Sequence, residues 1–251
     1  MISIEHIPYD AAEVDAAGRI GLVMLASDYT IEPELHALIG EFPGLGIAST
    51  RIRNDDQITP DTLRAMAPRI TEAVADILPG GHLDVVAYAC TSATMAIGEE
   101  EVFARIRAAR PGVACTTPIT GALAAFAAFG AKRIAVLTPY RTDVNEIVAA
   151  FITSRGFDVP VFGTFSEESD AAVATISVDS VRRGIHRLLE AATVDAVFVS
   201  CTSIRLAGMV TGLEAEIGLP VTSSNHAMAW HAVRLAGVDV ARADLGRLYA
   251  S

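Results

Sequence analysis

The sequence predicts an α/β fold built as two pseudo-symmetric lobes, each a parallel sheet flanked by helices, and three observations predict it. The chain repeats itself: LDVVAYACTSATMAIG at 83–98 is echoed by VDAVFVSCTSIRLAGM at 194–209, each an Asp, an apolar run, Cys-Thr-Ser and a helix-like segment. The apolar runs are short, rich in Val, Ile and Ala, and lack polar alternation, which is the pattern of strands buried on both faces of a parallel sheet. Helical periodicity lies between the runs, so strand and helix alternate in right-handed βαβ units.

Taken in order, GRIGLVMLASDYT (18–30) is a first strand ending in small and polar residues. TPDTLRAMAPRITEAVADIL (59–78) opens with a capping Thr, then Pro and Asp, and repeats apolar residues at helical spacing. The strand within 83–89 runs into Cys90, and PGVACTTPIT (111–120) supplies another short strand. The second half repeats the plan. KRIAVLTPYRTDV (132–144) matches the first strand, ATISVDSVRRGIHRLLEAA (174–192) is helical, the strand after Asp195 runs into Cys201, and LPVTSSNHAM (219–228) answers 111–120. The division between lobes is expected near Thr117 to Gly121, with the helix from about Asn225 returning to the first. That gives one lobe of residues 1–117 plus 225–251 and another of 118–224.

Composition narrows the function classes. The chain has 251 residues, 51% of them hydrophobic, and a formal charge of −11, which disfavours nonspecific nucleic-acid binding. No apolar run approaches the roughly 20 residues of a membrane span. The opening MISIEHIPYD lacks the basic-then-apolar order of a secretory signal, so a cytoplasmic location is expected. Cys90, Cys115 and Cys201 form no CxxC and no zinc spacing, so reduced thiols and no metal are expected. His82, His186, His226 and His231 likewise lack metal spacing and are expected to be surface or packing residues.

In open parallel sheets ligands bind beyond the carboxyl ends of the strands. The residues expected there are Ser27 and Asp28; Cys90, Thr91 and Ser92; Tyr140; and Cys201, Thr202 and Ser203. Backbone N–H groups of Thr91, Ser92, Thr202 and Ser203, placed at helix starts, would hold a carboxylate or the enolate formed from it. A helix N-terminus would also lower a thiol pKa from its usual value of about 8.5. Two matched thiols suit proton transfer on opposite faces of a carbon, or addition of one thiol to an alkene while the other manages a proton. Cys115 has no such context and reads as structural. Asp28 reads equally as a helix cap or a substrate ligand, and Arg51 equally as a surface residue or a carboxylate clamp.

With Cys-Thr-Ser in each half, the chain resembles the aspartate/glutamate racemase superfamily, particularly its maleate cis-trans isomerase and arylmalonate decarboxylase branch. AYACTSATMAIGEE (87–100) with VSCTS (199–203) is most similar to the ectoine-utilisation proteins of that branch. The resemblance implies two Rossmann-like lobes with the site in the cleft between them, no cofactor, a small carboxylic or amino acid substrate, and a homodimer or higher homo-oligomer. In maleate isomerases the first cysteine is the nucleophile and the second its acid/base partner, positions matched by Cys90 and Cys201. In the decarboxylases the position matching Cys90 is Gly, so Cys90 argues against decarboxylation. The branch's dioxyanion-binding hydroxyls fall on Thr91, Ser92 and Tyr140, with Thr202 beside the second thiol. Where the isomerases carry Asn in Ser-Asn-Thr-Thr, this chain reads Ser27-Asp28-Tyr29-Thr30. An Asp repels a carboxylate and pairs with an ammonium. The expectation is therefore a racemase or epimerase of an acidic or substituted amino acid, in an ectoine-pathway context. The alternatives are a maleate-type isomerase with a covalent Cys90 adduct and, from another class, a non-catalytic two-lobed solute-binding protein.

Overall fold

The computed structural model describes residues 2, 4–12 and 17–250. Its strands are β1 (Gly18–Leu25), β2 (Leu45–Ile52), β3 (Val85–Ala89), β4 (Ala114–Thr116), β5 (Arg133–Thr138), β6 (Asp158–Thr164), β7 (Ala196–Val199) and β8 (Val221–Ser223). They form two parallel four-stranded sheets of identical order, β2-β1-β3-β4 and β6-β5-β7-β8. The repeat in sequence is thus a repeat in topology. Every residue of β3 and β7 is buried, which is why neither run alternates with polar residues. The edge strands β2 and β6 are half-exposed.

The helices are α1 (Ile31–Ile39), α2 (Pro60–Arg64), α3 (Ile70–Ala75), α4 (Thr91–Ile97), α5 (Glu99–Ala109), α6 (Pro118–Ala128), α7 (Thr142–Ser154), α8 (Asp170–Val173), α9 (Val178–Ala191), α10 (Val210–Ile217) and α11 (Ser224–Leu235). The expected helix at 59–78 is not continuous. Thr59 caps it, its side chain accepting from the Thr62 N–H, but α2 stops at Arg64 and a 3-10 turn over Ala67–Arg69 precedes α3. Pro68 sits in that turn, where its ring and missing N–H interrupt an α-helix. The helix expected over 174–192 starts only at Val178, where the Ser177 side chain accepts from the Ser180 N–H.

Two helices cross between the sheets. α6 follows β4, yet its Phe126 packs edge-on against Phe198 of β7 in the other sheet, ring centroids 5.6 Å apart. α11 follows β8, yet packs against α1, β3 and β4 of the first sheet. Both are capped alike, Thr117 accepting from the Thr120 N–H and Ser223 from the His226 N–H. They touch at Gly121, where a β-carbon would lie 2.6 Å from the Ala227 carbonyl oxygen. Among the described residues no helix is long and apolar enough to cross a membrane.

Candidate active site

The carboxyl ends of β3, β5 and β7 converge on a narrow, partly enclosed cavity of about 20 Å³, room for about one water molecule. Six of the residues expected from the sequence line it: Cys90, Thr91, Ser92, Tyr140, Cys201 and Thr202. Its roof is a strap over 54–66, whose Asn54, Gln57, Ile58, Leu63 and Met66 also line it. The strap leaves the first sheet but is fastened to the second half, by an antiparallel bridge between Gln57 and Ser169 and by the Ile58 N–H donating to the Glu168 carbonyl at 3.0 Å.

The two thiols sit on different backbones. Cys90 is the N-cap of α4, with an extended φ of −147°, so its side chain lies at a true helix start. Cys201 has φ +103°, a conformation that a residue with a β-carbon adopts only under strain. No helix follows it directly: Thr202 and Ser203 lie in a turn and α10 begins at Val210. This corrects the expectation of a helix start at the second Cys-Thr-Ser. The second loop is instead held by the first turn of α11. The Cys201 N–H donates to the Ser224 hydroxyl at 3.0 Å, and the Asn225 amide donates to the Thr202 carbonyl at 2.8 Å and to Glu34 at 2.7 Å. Glu34 in turn accepts from the N–H groups of Leu206 and Ala207. The Ser224 hydroxyl also lies 2.8 Å from that of Thr91, so one side chain joins both Cys-Thr-Ser loops.

Neither thiol is activated at rest, a second correction. Burial pushes Cys90 up to about 12 despite the favourable Ala93 N–H, and Asp170 and Asp28 add to the rise. Burial, followed by Asp170, lifts Cys201 further still against the lowering effect of the Tyr140 hydroxyl. The helix-start effect is real at Cys90, but it is a partial charge at a helix end opposing the loss of all solvent. The Tyr140 phenol is also held well above its ordinary range by burial, and next by the two thiols, so it remains a proton donor.

The other expected residues lie outside the lining. Ser203 reaches back toward Asp170 through its hydroxyl at 3.5 Å. Ser27 donates to Asp170 at 2.6 Å. Asp28 realises its capping role with one oxygen, Oδ1, which accepts from the N–H groups of Thr30 and Ile31 at 2.8 and 3.0 Å; its buried Oδ2 has no partner among the described residues. Arg51 is not brought to the cavity. Its guanidinium donates to the carbonyls of Leu25 and Asp28 and to Glu32, so it buttresses the β1–α1 loop and the carboxylate-clamp expectation fails. Cys115 is buried on β4, donating to the Val113 carbonyl. His226 is a packing residue bonded to Thr222 and the Leu245 carbonyl, its pKa pushed down to about 4 by burial. Among the described residues no three potential metal ligands come together.

Sequence reasoning missed Asp170 and Ser224. Asp170 lines the cavity, 7% exposed, but stands in Ser-Glu-Glu-Ser-Asp, which reads as a solvated turn. The available signal was positional, since both edge strands lead into loops that end in a capped helix, at Thr59 and at Ser169. Ser224 matches Pro118 when the two capping residues are superposed in sequence, a contrast of chemistry inside the repeat. Substituting Ser224→Ala is expected to leave the Cys201 N–H unpaired in the interior, at about 1–3 kcal/mol. The expected result is a Tm lower by about 5 °C and a kcat reduced by about tenfold, read by calorimetry and steady-state kinetics.

Paired lobes enclosing two thiols among hydroxyl groups define a thiol-dependent enzyme. A sequence model of the arylmalonate decarboxylase family matches residues 31–249. The chain is 31% identical over 240 residues to the maleate isomerase of Nocardia farcinica (strain IFM 10152), covering 92% of this chain and 94% of that protein. It is 35% identical over 144 residues to the arylmalonate decarboxylase of Bordetella bronchiseptica, covering 55% of this chain and 58% of that one. Among solved structures, a cysteine-to-serine variant of the Nocardia farcinica maleate cis-trans isomerase, with a covalently bound succinylcysteine intermediate, superposes with a TM-score of 0.83 at 27% identity, over 92% of this chain and 98% of that one. The chain belongs to the arylmalonate decarboxylase and maleate isomerase family, within the aspartate/glutamate racemase-like superfamily, and is an isomerase.

Proposed function

We propose that the protein is a cofactor-independent cis-trans isomerase of a short unsaturated carboxylic acid, working through a covalent adduct on Cys90. The observation that carries this reading is the gathering of both thiols with Thr91, Ser92 and Tyr140 around one narrow cavity. The succinylcysteine captured in the Nocardia farcinica isomerase supports covalent chemistry over the amino-acid racemisation that Asp28 suggests in the sequence.

The substrate carboxylate lies against the hydroxyls of Thr91 and Ser92 and the Tyr140 phenol. Cys90 gives up its proton and its sulfur forms a bond to one alkene carbon. The π electrons pass to the neighbouring carbon and are stabilised as an enediolate by those donors. Cys201 delivers a proton to that carbon, and the proton lost by Cys90 restores Cys201. The C–C bond, now single, rotates. Cys201 then passes its proton to the Cys90 sulfur as the C–S bond breaks and takes the proton from carbon, releasing the trans alkene, so S–H is first added and then eliminated with no net change. Burial of both thiols favours this sequence by limiting the water that can reach the enediolate.

Intact-mass and peptide analysis of the Cys201→Ser protein incubated with maleate and other short cis-alkenoic acids tests the reading. The expected result is a substrate-sized adduct on the Cys90 peptide. Turnover without adduct, with α-proton exchange from an amino acid in deuterated water that needs both thiols, would instead restore the racemase reading.

A further inference from the structure

We propose that the substrate of this site is a zwitterion, with an ammonium group held by Asp170 and favoured by the negative charge of the buried Asp28 behind the lining. The proposal rests on the reading of Cys90 and Cys201 as the reacting pair, and it names what lies at the end of the substrate away from the reacting carboxylate.

Among the described residues no Lys, Arg or His lines the cavity, while two carboxylates do, Asp170 and Asp55. Asp170 is buried, and its partners in the structure are all neutral: the Ser27 hydroxyl at 2.6 Å, the Asn54 amide at 3.4 Å and the Ser203 hydroxyl at 3.5 Å. Asp28, behind the lining, is 1% exposed, and its Oδ2 is a buried acceptor with no hydrogen-bond partner among the described residues. The two acids act on one another and each acts on both thiols. The nearby cation Arg51 does not relieve them, because its guanidinium is taken by two carbonyls and Glu32. A buried acceptor that neither solvent nor protein satisfies is costly, and a buried carboxylate is stabilised chiefly by an opposite charge.

A dicarboxylate would bring its second negative charge into this acidic, water-poor space with no cation to meet it. An ammonium reverses every sign. It supplies three donors for Asp170, and it offsets the part of the rise in Cys90 and Cys201 that the two carboxylates add to burial. Binding of the correct substrate would therefore ease ionisation of the thiols, and a dianion would oppose it. The matching class is a short chain with a carboxylate at one end and an amino group a few atoms away, such as γ-aminocrotonate for cis-trans chemistry.

Binding of unreactive saturated analogues separates this proposal from the covalent mechanism, because it needs no turnover. Thermal shift and calorimetric titration of the wild type would use γ-aminobutyrate and β-alanine against succinate and malonate. The amino acids are expected to bind and to raise Tm, and the diacids are not. Asp170→Asn is expected to weaken amino-acid binding about 10- to 100-fold. Asp28→Asn keeps an oxygen for the α1 cap and removes only the charge, so it carries the test even where Asp170→Asn fails to fold; a weakening of about tenfold is expected. The proposal is overturned if the diacids bind as tightly as the amino acids, if none of the four binds, or if amino-acid affinity is unchanged in the Asn variants. Loss of the Cys90 adduct alongside intact amino-acid binding would instead count against the mechanism.

Discussion

Replacing either Cys90 or Cys201 by serine is expected to lower kcat by at least about a thousandfold, with the double variant falling little further, because the two groups act in one cycle. Serine is nearly isosteric, so the loss is chemical. A thiol pushed up to about 12 already has a thiolate fraction of only about one in a hundred thousand at neutral pH, and a buried hydroxyl is a weaker acid still. Steady-state rates on a short cis-alkenoic acid, with circular dichroism to confirm folding, provide the check. Retention of more than a tenth of the activity in either variant would remove that cysteine from the chemistry.

The largest effect on stability is expected at Gly121. A β-carbon there would meet three backbone atoms, at 2.6, 2.7 and 2.9 Å, belonging to Ala227 and Met228 of α11. Backbone cannot rotate out of the way as a side chain can. Gly121→Ala is expected to destabilise by about 3 kcal/mol through overpacking, lowering Tm by about 6–12 °C. Gly212 provides the control. It lies exposed in α10 with nothing within 4 Å of its added β-carbon, so Gly212→Ala is expected to stabilise by roughly 0.5–1 kcal/mol. Calorimetry of both proteins reads the contrast, and equal shifts would mean that the α6–α11 contact is not tight.

The buried strands were legible because burial on both faces writes an unbroken apolar run, as in VVAYA of β3 and AVFV of β7. The edge strands β2 and β6 carry no such run, since exposed and half-exposed residues make up most of each, and nothing in the pattern marks them as strands. The same rule decided what could be seen of the site. Cys90, Tyr140 and Cys201 stand at the ends of legible strands, whereas Asp170 stands after an illegible one. Ser224 was hidden for another reason: its hydroxyl acts on residues far away in sequence, Thr91 and Cys201, and only the fold brings them together. The thiol pKa values went the wrong way because a helix start is a local feature, whereas desolvation depends on the strap that closes above it.

The crossing of α6 and α11 bears on how anything enters the cavity. A solute binder with two lobes opens like a jaw, its halves swinging about flexible connections. Here each sheet is covered by a helix belonging to the other, pressed together at Gly121, and the Ser224 hydroxyl ties the two thiol loops across the seam. Such a jaw is locked. What roofs the cavity is the strap over 54–66, fastened to the second half by one backbone hydrogen bond, one bridge and the Asn54 amide on Asp170, which makes it a latch on a frame without a hinge.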